Sequence, residues 1–212
     1  MNINTQEALE KLRQGYQSFL AQSATPVSNQ AHIQQLYENG QHPFATVVTC
    51  SDSRVSPEIL FSCQLGDIFT VRTAGHVLSA FELASIEYAV DHLHTPLVLI
   101  LGHSHCGAVK SSATPHADAH HSHAMQALVD EISPAIEAAK RQSSASASWM
   151  RLAEDIHIER MLRKVAESEA FMERASILMA AKYDIESANI LYLKSLSRRA
   201  DGQLEILKTT WA

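Results

Sequence analysis

Three short apolar segments, each followed at once by polar residues, constrain the fold of this 212-residue chain more than any other feature. The segments ATVVT (45–49), DIFTV (67–71) and PLVLIL (96–101) are rich in β-branched and aliphatic residues. Such runs are typical of strands that are buried on both faces of a parallel sheet. We therefore predict three buried strands that belong to one sheet.

A crossover helix is predicted between the second and third of these segments. The stretch SAFELASIEYAVDHLH (79–94) opens with a capping box formed by Ser79 and Glu82, and its apolar residues recur at helical spacing. A strand, a helix and a second strand in this order form a parallel crossover unit. The chain is therefore predicted to be an α/β protein, a single domain with a mostly parallel central β-sheet flanked by helices.

The rest of the chain is assigned by its periodicity to regions of this one domain. Residues 1–40 contain two amphipathic helices, capped by Thr5 and Ser28, which form an N-terminal helical arm. Residues 41–110 are the predicted core of parallel strands and their crossover helix, and 111–212 are a helical region followed by a C-terminal β-hairpin. Within this last region, helices are predicted around 125–141, 149–166 and 168–183. The first of these is expected to be interrupted at Pro134, and SSASAS (143–148) is expected to be a surface connection.

Composition and charge exclude several classes of partner. The net charge of −6 provides no basic surface for nucleic acid, and there is no run of lysine and arginine for an anionic membrane. The first residues, MNINTQEALE, show no basic segment followed by an apolar stretch. Three cysteines are too few for a disulfide framework. We expect a cytoplasmic protein with a small-molecule partner and no nucleic-acid or membrane partner.

Polar residues collect where each predicted strand ends. The segment CSDSR (50–54) follows the first strand, RTAGH (72–76) the second and GHSHCG (102–107) the third. The carboxyl ends of parallel strands form the ligand crevice of open α/β sheets. These three segments are therefore predicted to build one site.

Two cysteines and a histidine in these segments have the chemistry of a zinc site. His103 and Cys106 are separated by two residues, so both can reach one metal ion from a turn, while Cys50 follows another buried strand. Three ligands of the Cys₂His type leave the fourth tetrahedral position open, which is the pattern of a catalytic zinc. The sequence predicts one Zn²⁺ per chain, held by these three residues.

An acid and an arginine stand beside the predicted metal ligands. Asp52 and Arg54 alternate with Cys50 along the chain and can form a bidentate ion pair. The charge of Arg54 would keep Asp52 ionised, so that its carboxylate accepts a hydrogen bond from a zinc-bound water. Gly107 is predicted to begin a helix whose N-terminal amides favour a bound anion. Gly75 and Gly107 are both predicted to serve tight turns that let the backbone approach the site.

Together these motifs resemble the β-class carbonic anhydrases. That family has a Cys-x-Asp-x-Arg segment and, after the next but one strand, a His-x-x-Cys segment, which appear here as CSDSR and HSHC. The resemblance continues through GDIFTVRTAG and SIEYAV and covers residues 30–110. Thr73 and His76 depart from the family pattern, which often has asparagine there.

The resemblance implies an activity and an assembly. It implies that zinc-bound hydroxide attacks CO₂, that bicarbonate is released, and that the proton passes to buffer. Bicarbonate would be the anion bound near Gly107. The family also implies a homodimer or tetramer, with an exchanged N-terminal helix and the active-site cleft at the subunit interface. At lower pH, an unpaired Asp52 would turn onto the zinc and block the site.

Three other functions fit the same residues. Carbonyl sulfide and carbon disulfide hydrolases resemble this family and use the same ligands. A non-catalytic zinc-binding regulatory protein would keep the metal but would need neither Asp52 nor Arg54. A cysteine hydrolase would use Cys106 as its nucleophile with His103 as the base.

Other reactive residues are predicted to be bystanders. Cys63 is interpreted as a spare buried thiol, and His105 as a variable position between the metal ligands. The segment HADAHHSH (116–123) contains four histidines and an aspartate. A solvated loop is favoured there over a second metal site or a proton relay.

Overall fold

The computed structural model describes residues 3–23, 28–114, 122–143, 145–168, 171, 177–198 and 204–206. These residues form one sheet with helices packed against it. The helices are α1 (Thr5–Leu20), α2 (Gln30–Asn39), α3 (Pro57–Leu60), α4 (Ala80–Asp91), α5 (Gly107–Ala113), α6 (His123–Gln142) and α7 (Ser146–Ala166). The strands are β1 (Ala45–Cys50), β2 (Ile68–Thr73), β3 (Leu97–His103), β4 (Ile177–Asp184), β5 (Asn189–Arg198) and β6 (Leu204–Ile206).

The sheet is parallel in its first four strands and antiparallel at one edge. The strand order is β2-β1-β3-β4-β5-β6, and β1 pairs with both β2 and β3 in parallel. Strand β4 pairs in parallel with β3 and antiparallel with β5, which in turn pairs antiparallel with β6. The predicted fold class, including the C-terminal hairpin, is confirmed.

Both faces of the central strands are covered by helices. Every residue of β1 and β3 is buried, and alternate side chains belong to two different apolar clusters. Val47 and Leu99 pack in the cluster that contains Leu12 of α1, whereas Val48 and Ile100 pack in the cluster formed with α4 and α7. Full burial of such a side chain stabilises the fold by about 1.5–3 kcal/mol. This double burial explains why the strand sequences lack polar alternation.

The caps of the first two helices each lie one residue from the predicted cap. Asn4, not Thr5, caps α1, because its side chain accepts a hydrogen bond from the amide of Glu7 and the Glu7 carboxylate accepts one from the amide of Asn4. Asn29, not Ser28, caps α2, where its side chain accepts a hydrogen bond from the amide of His32. Asparagine and serine are similarly good caps, so adjacent candidates are not separated by sequence.

The predicted helix over 168–183 is wrong for residues 177–183, because these belong to strand β4 (Ile177–Asp184). Its central residues are small, with Ala180 and Ala181 both fully buried, and alanine favours a helix when it is considered locally. Pairing with β3 on one side and β5 on the other satisfies the backbone of this segment and overrides that preference.

The two preceding helices are confirmed with extended ends. Helix α6 runs without a break through Pro134, where an interruption was predicted, and α7 starts at Ser146 within the segment expected to be a surface connection. Among the described helices, none combines the length and the apolar character that crossing a bilayer requires.

Candidate metal centre

Cys50, His103 and Cys106 meet at the carboxyl edge of the sheet. Cys50 is the last residue of β1 and His103 the last residue of β3, and these two strands are direct neighbours. Cys106 immediately precedes α5. The three ligand atoms all lie within 4.8 Å of one another, and all three residues are buried. Zinc binds sulfur and imidazole nitrogen at about 2.0–2.3 Å, so one ion can be shared after small side-chain adjustments.

The imidazole of His103 is oriented as a metal ligand requires. Its Nδ1 lies 2.8 Å from the carbonyl oxygen of Ser104, and because a carbonyl only accepts, Nδ1 carries the proton. The lone pair is therefore on Nε2. In the described part of the chain this buried Nε2 makes no hydrogen bond to an oxygen or nitrogen atom. A hydrogen bond that fixes the tautomer in this way is the usual arrangement of a metal-binding histidine.

The two cysteines differ in their affinity for a proton. The hydrogen bond between the thiol of Cys106 and the sulfur of Cys50, together with His103 and two backbone amides, lowers the pKa of Cys50 against the effect of burial. These amides belong to Gly75 and Asp52, 3.3 and 3.4 Å from the Cys50 Sγ. The same thiol-to-thiolate hydrogen bond, together with burial, raises the pKa of Cys106. Metal binding would therefore release a proton from Cys106.

Asp52 and Arg54 form the predicted bidentate pair. The guanidinium donates from Nε to Asp52 Oδ1 at 2.9 Å and from Nη2 to Oδ2 at 2.7 Å, and the Arg54 amide also donates to Oδ1. These bonds from Arg54 hold the pKa of the Asp52 carboxyl well below its usual range. Asp52 Oδ2 lies 3.9 Å from His103 Nε2. An ionised, oriented carboxylate thus stands next to the candidate metal-binding atoms.

Arg72 supports this loop from β2, and its role was missed in the sequence. Its Nε donates to the carbonyl oxygen of Cys50 at 3.1 Å, and its Nη2 donates to that of Asp52 at 2.8 Å. The signal that could have identified it is its place in RTAGH, at the end of the strand that pairs with β1. Arg72 ties the loop that carries the carboxylate to the neighbouring strand.

A buried ion pair supports Cys106 from the other side and was also missed. Glu154 of α7 accepts a hydrogen bond from the Cys106 amide at 3.3 Å, and its second oxygen lies 2.7 Å from Lys182 Nζ. Lys182 of β4 is also 3.0 Å from Asp155 Oδ1. Glu154 and Lys182 line a cavity of about 560 Å³ that also borders His105. These residues come from distant segments, so no local motif indicates them.

The two glycines near the site, Gly75 and Gly107, differ in whether the backbone requires glycine at that position. Gly75 has φ +63°, a left-handed conformation that favours glycine, as predicted for a tight turn. Gly107 is the first residue of α5, also as predicted, but a Cβ there would meet nothing within 4 Å. Space alone therefore does not require glycine at 107.

The predicted bystanders lie apart from the ligand cluster. Cys63 packs in the apolar cluster on the α1 face, and burial raises the pKa of its thiol to about 12. His105 is exposed. Most of the histidine-rich segment 116–123 lies outside the described residues; Ser122 caps α6 and His123 begins it.

This geometry defines an α/β protein with a candidate metal centre of two cysteines, one histidine and an Asp–Arg pair at the carboxyl edge of a parallel sheet. The sequence profile of the carbonic anhydrase family matches residues 45–190. The chain belongs to this family, and the resemblance predicted from the strand-end motifs is confirmed.

Curated relatives are similar over the part of the chain that contains the site. Carbonic anhydrase 2 of Mycobacterium tuberculosis is 43% identical over 111 residues, which are 52% of this chain and 54% of that protein. A carbonic anhydrase of Mycolicibacterium smegmatis is 45% identical over 111 residues, again 52% of this chain and 54% of the relative. The chain thus spans about half the length of the curated relatives it matches.

Solved structures agree over most of the chain. The β-carbonic anhydrase CcaA is 26% identical with a TM-score of 0.67, and the match covers 95% of this chain and 97% of that one. The Coccomyxa β-carbonic anhydrase, solved with acetazolamide, has a TM-score of 0.72 at 20% identity, covering 98% and 94%. The second likeness shows a shared fold.

Proposed function

We propose that this chain is a zinc-dependent carbonic anhydrase that catalyses the reversible hydration of CO₂ to bicarbonate and a proton. One observation carries the proposal: the Asp52 carboxylate, held by Arg54, lies 3.9 Å from the Nε2 atom of a buried Cys₂His cluster. A closed structural site would need neither charged residue. Membership of the carbonic anhydrase family supports the same conclusion.

Each residue of the site has a role in this reaction. Cys50, His103 and Cys106 would hold one zinc ion, which when bound supplies Lewis acidity that brings the pKa of water towards neutrality. Asp52 accepts a hydrogen bond from the attacking water and so directs its oxygen towards the carbon of CO₂. Arg54 keeps this acceptor charged and fixes its direction. The water oxygen bonds to the carbon of CO₂ while one C=O π bond opens and a water O–H bond breaks, so that the proton passes to buffer and bicarbonate is released.

The site disfavours two of the other functions that fit the sequence. A cysteine hydrolase needs an accessible thiolate, but Cys106 is 2% exposed and its pKa is raised by the hydrogen bond to Cys50 and by burial. A regulatory zinc protein leaves the Asp52–Arg54 pair without a purpose. Gly107 remains a proposed bicarbonate contact, since it follows Cys106 directly at the start of α5.

The test is stopped-flow CO₂ hydration between about pH 7 and 9, on protein of known zinc content. Asp52→Asn should keep zinc and lose about 10²–10⁴-fold in turnover, because the directed acceptor is lost. Cys106→Ser should lose zinc together with activity. Cys63→Ser is the matched control, since this buried thiol lies outside the ligand cluster, and it should retain both.

Two outcomes would contradict the proposal. Wild-type protein with one zinc per chain and no CO₂ hydration at any of these pH values would overturn it, and hydrolysis of carbonyl sulfide by that protein would identify the alternative substrate class. Wild-type turnover in Asp52→Asn would show that the carboxylate has no part in the reaction.

We also propose that the chain forms a homodimer or tetramer in a reducing, cytoplasmic setting. Helix α2 buries none of its residues and leaves Ile33 and Tyr37 exposed, which suits a helix that packs on a partner. Helix α1 instead buries Leu9 and Leu12 against its own chain. Two tetrameric β-carbonic anhydrases of Sordaria macrospora share the fold at 20% identity. Light scattering on the purified protein measures the assembly.

A further inference from the structure

The turn that follows β2 donates a backbone amide to a metal ligand. The turn comprises Ala74–His76, and its middle residue, Gly75, directs its N–H at the Sγ of Cys50 over 3.3 Å. Gly75 and His76 both adopt left-handed backbone conformations, with φ +63° and +46°. Because a histidine rarely takes this conformation, neighbouring contacts must hold the turn in place.

A buried histidine on a distant helix holds the carbonyl group of the same residue, Gly75. His157 of α7 is fully buried, and its Nε2 lies 2.8 Å from the carbonyl oxygen of Gly75. A carbonyl only accepts, so Nε2 carries the proton and donates it. Burial lowers the pKa of His157 to about 4, which keeps the ring neutral and this tautomer populated near neutral pH. The ring also packs on that of His76, with centroids 4.7 Å apart.

The sheet provides the space that this arrangement needs. A Cβ added at Gly102 of β3 would lie 2.3 Å from the side chain of Ile158 and 3.2 Å from the His76 ring. Glycine at this position lets α7 approach the strand and lets the His76 ring fit beneath the turn. The turn is thereby held between β3 and α7, next to the metal ligands.

We propose that His157 is a positioning residue of the metal centre, which holds the carbonyl group of Gly75 and so fixes the backbone of this residue in the conformation in which its amide donates to the Cys50 thiolate. The inference rests on the proposed metal site. A hydrogen bond to a thiolate withdraws charge from the sulfur and weakens its donation to a bound cation. Two thiolate ligands donate much electron density to a bound cation. By withdrawing charge from the Cys50 sulfur, the Gly75 amide would keep the cation more electrophilic than the three ligands alone would.

The experiment compares two substitutions that differ in the donor. His157→Gln places an amide N–H at a reach similar to that of imidazole Nε2, whereas His157→Leu fills similar space without a donor. Met161→Leu is the control, because this buried residue lies on the same helix and packs in the apolar cluster formed with α4 and α7. The readouts are the sulfur-to-cobalt charge-transfer band of Co²⁺-loaded protein and zinc affinity measured by competition with a chelator.

The expected results distinguish a role of His157 as a hydrogen-bond donor to Gly75 from a role in core packing alone. His157→Leu should shift the cobalt band to longer wavelength, because the Cys50 sulfur becomes a stronger donor. It should also weaken zinc binding by about 10–100-fold, because losing a contact that orients the ligand costs more affinity than the stronger donation returns. His157→Gln and Met161→Leu should keep the wild-type band. An unchanged band in His157→Leu, or an equal shift in all three variants, would overturn the inference.

The failure of this inference can be distinguished from the failure of the proposed function. If the band shifts as expected but wild-type protein does not hydrate CO₂, the positioning role stands and the proposed reaction falls. If wild-type protein binds neither zinc nor cobalt, both are overturned. Circular dichroism of each variant establishes that it is folded, and His157→Gln tests the donor even where His157→Leu does not fold.

Discussion

The buried ion pair between Lys182 and Glu154 gives a prediction whose magnitude follows from the structure. Their side chains are 6% and 4% exposed, and the ammonium and carboxylate lie 2.7 Å apart. Lys182→Met removes the cation with little change in volume and leaves the Glu154 carboxylate buried. Breaking a buried pair by removing one partner costs about 3–5 kcal/mol of stability.

Asp155, the second acid near Lys182, contributes less to the free energy of unfolding than Glu154 does. Asp155 lies 3.0 Å from Lys182 Nζ, but its side chain is 37% exposed and remains solvated when the lysine is removed. A pair of this kind contributes about 0–1 kcal/mol. For a chain of this length, 1 kcal/mol changes the Tm by about 2–4 °C, so Lys182→Met should lower the Tm by about 6–20 °C.

The assay is thermal and urea unfolding of metal-free and zinc-loaded protein. The control is the double substitution Lys182→Met with Glu154→Gln, which removes both charges while the glutamine oxygen can still accept from the Cys106 amide. The double variant should recover most of the lost stability. A loss below about 1 kcal/mol in Lys182→Met, or no recovery in the double variant, would refute the argument that the cost arises from an unpaired buried charge.

Two further predictions concern pH and the loop that carries Asp52. Burial lowers the pKa of His157 to about 4 and also lowers the pKa of His76. Below about pH 6.5 the unfolded chain therefore binds more protons than the folded protein. The free energy of unfolding should fall as the pH drops from about 6.5 to 4. Urea unfolding across this range should show a shallower slope in His157→Gln, by up to about 1.4 kcal/mol per pH unit; an unchanged slope would contradict a buried neutral ring. Arg72→Gln should lower CO₂ turnover more than zinc affinity, because it frees the carbonyls of the loop at Cys50 and Asp52; equal losses in both would show that Arg72 supports the ligands instead.

The parts of the site that sequence could predict are those carried by short local motifs at strand ends. The run ATVVT predicts a buried strand, and the register of parallel strands then places Cys50 beside the end of β3. The Asp52–Arg54 pair follows from a spacing of two residues. In each case neighbours in sequence, or neighbours in one sheet, determine the contact, so local patterns were sufficient.

The parts that sequence could not predict depend on packing between distant segments. The sequence of β4 favours a helix locally because of its alanines, and pairing with β3 and β5 makes this segment a strand. Glu154 and His157 lie on an amphipathic helix where a polar residue is normally solvated. Glu154 is buried against Cys106, and His157 is buried against Gly75, because α7 packs closely against β3. The periodicity of the sequence does not indicate how close this packing is.

Charge explains why the groups that donate to the sulfur of Cys50 are neutral backbone amides. A divalent cation with two thiolates and an imidazole is neutral overall, and Asp52 with Arg54 adds no net charge. A further cation beside the sulfurs would weaken metal binding, and a further anion would oppose the charge that develops on the attacking water. Backbone amides and a neutral His157 stabilise the thiolate of Cys50 without adding either charge. A buried dipole therefore serves here better than a lysine or an arginine would, because it strengthens the site without changing its net charge.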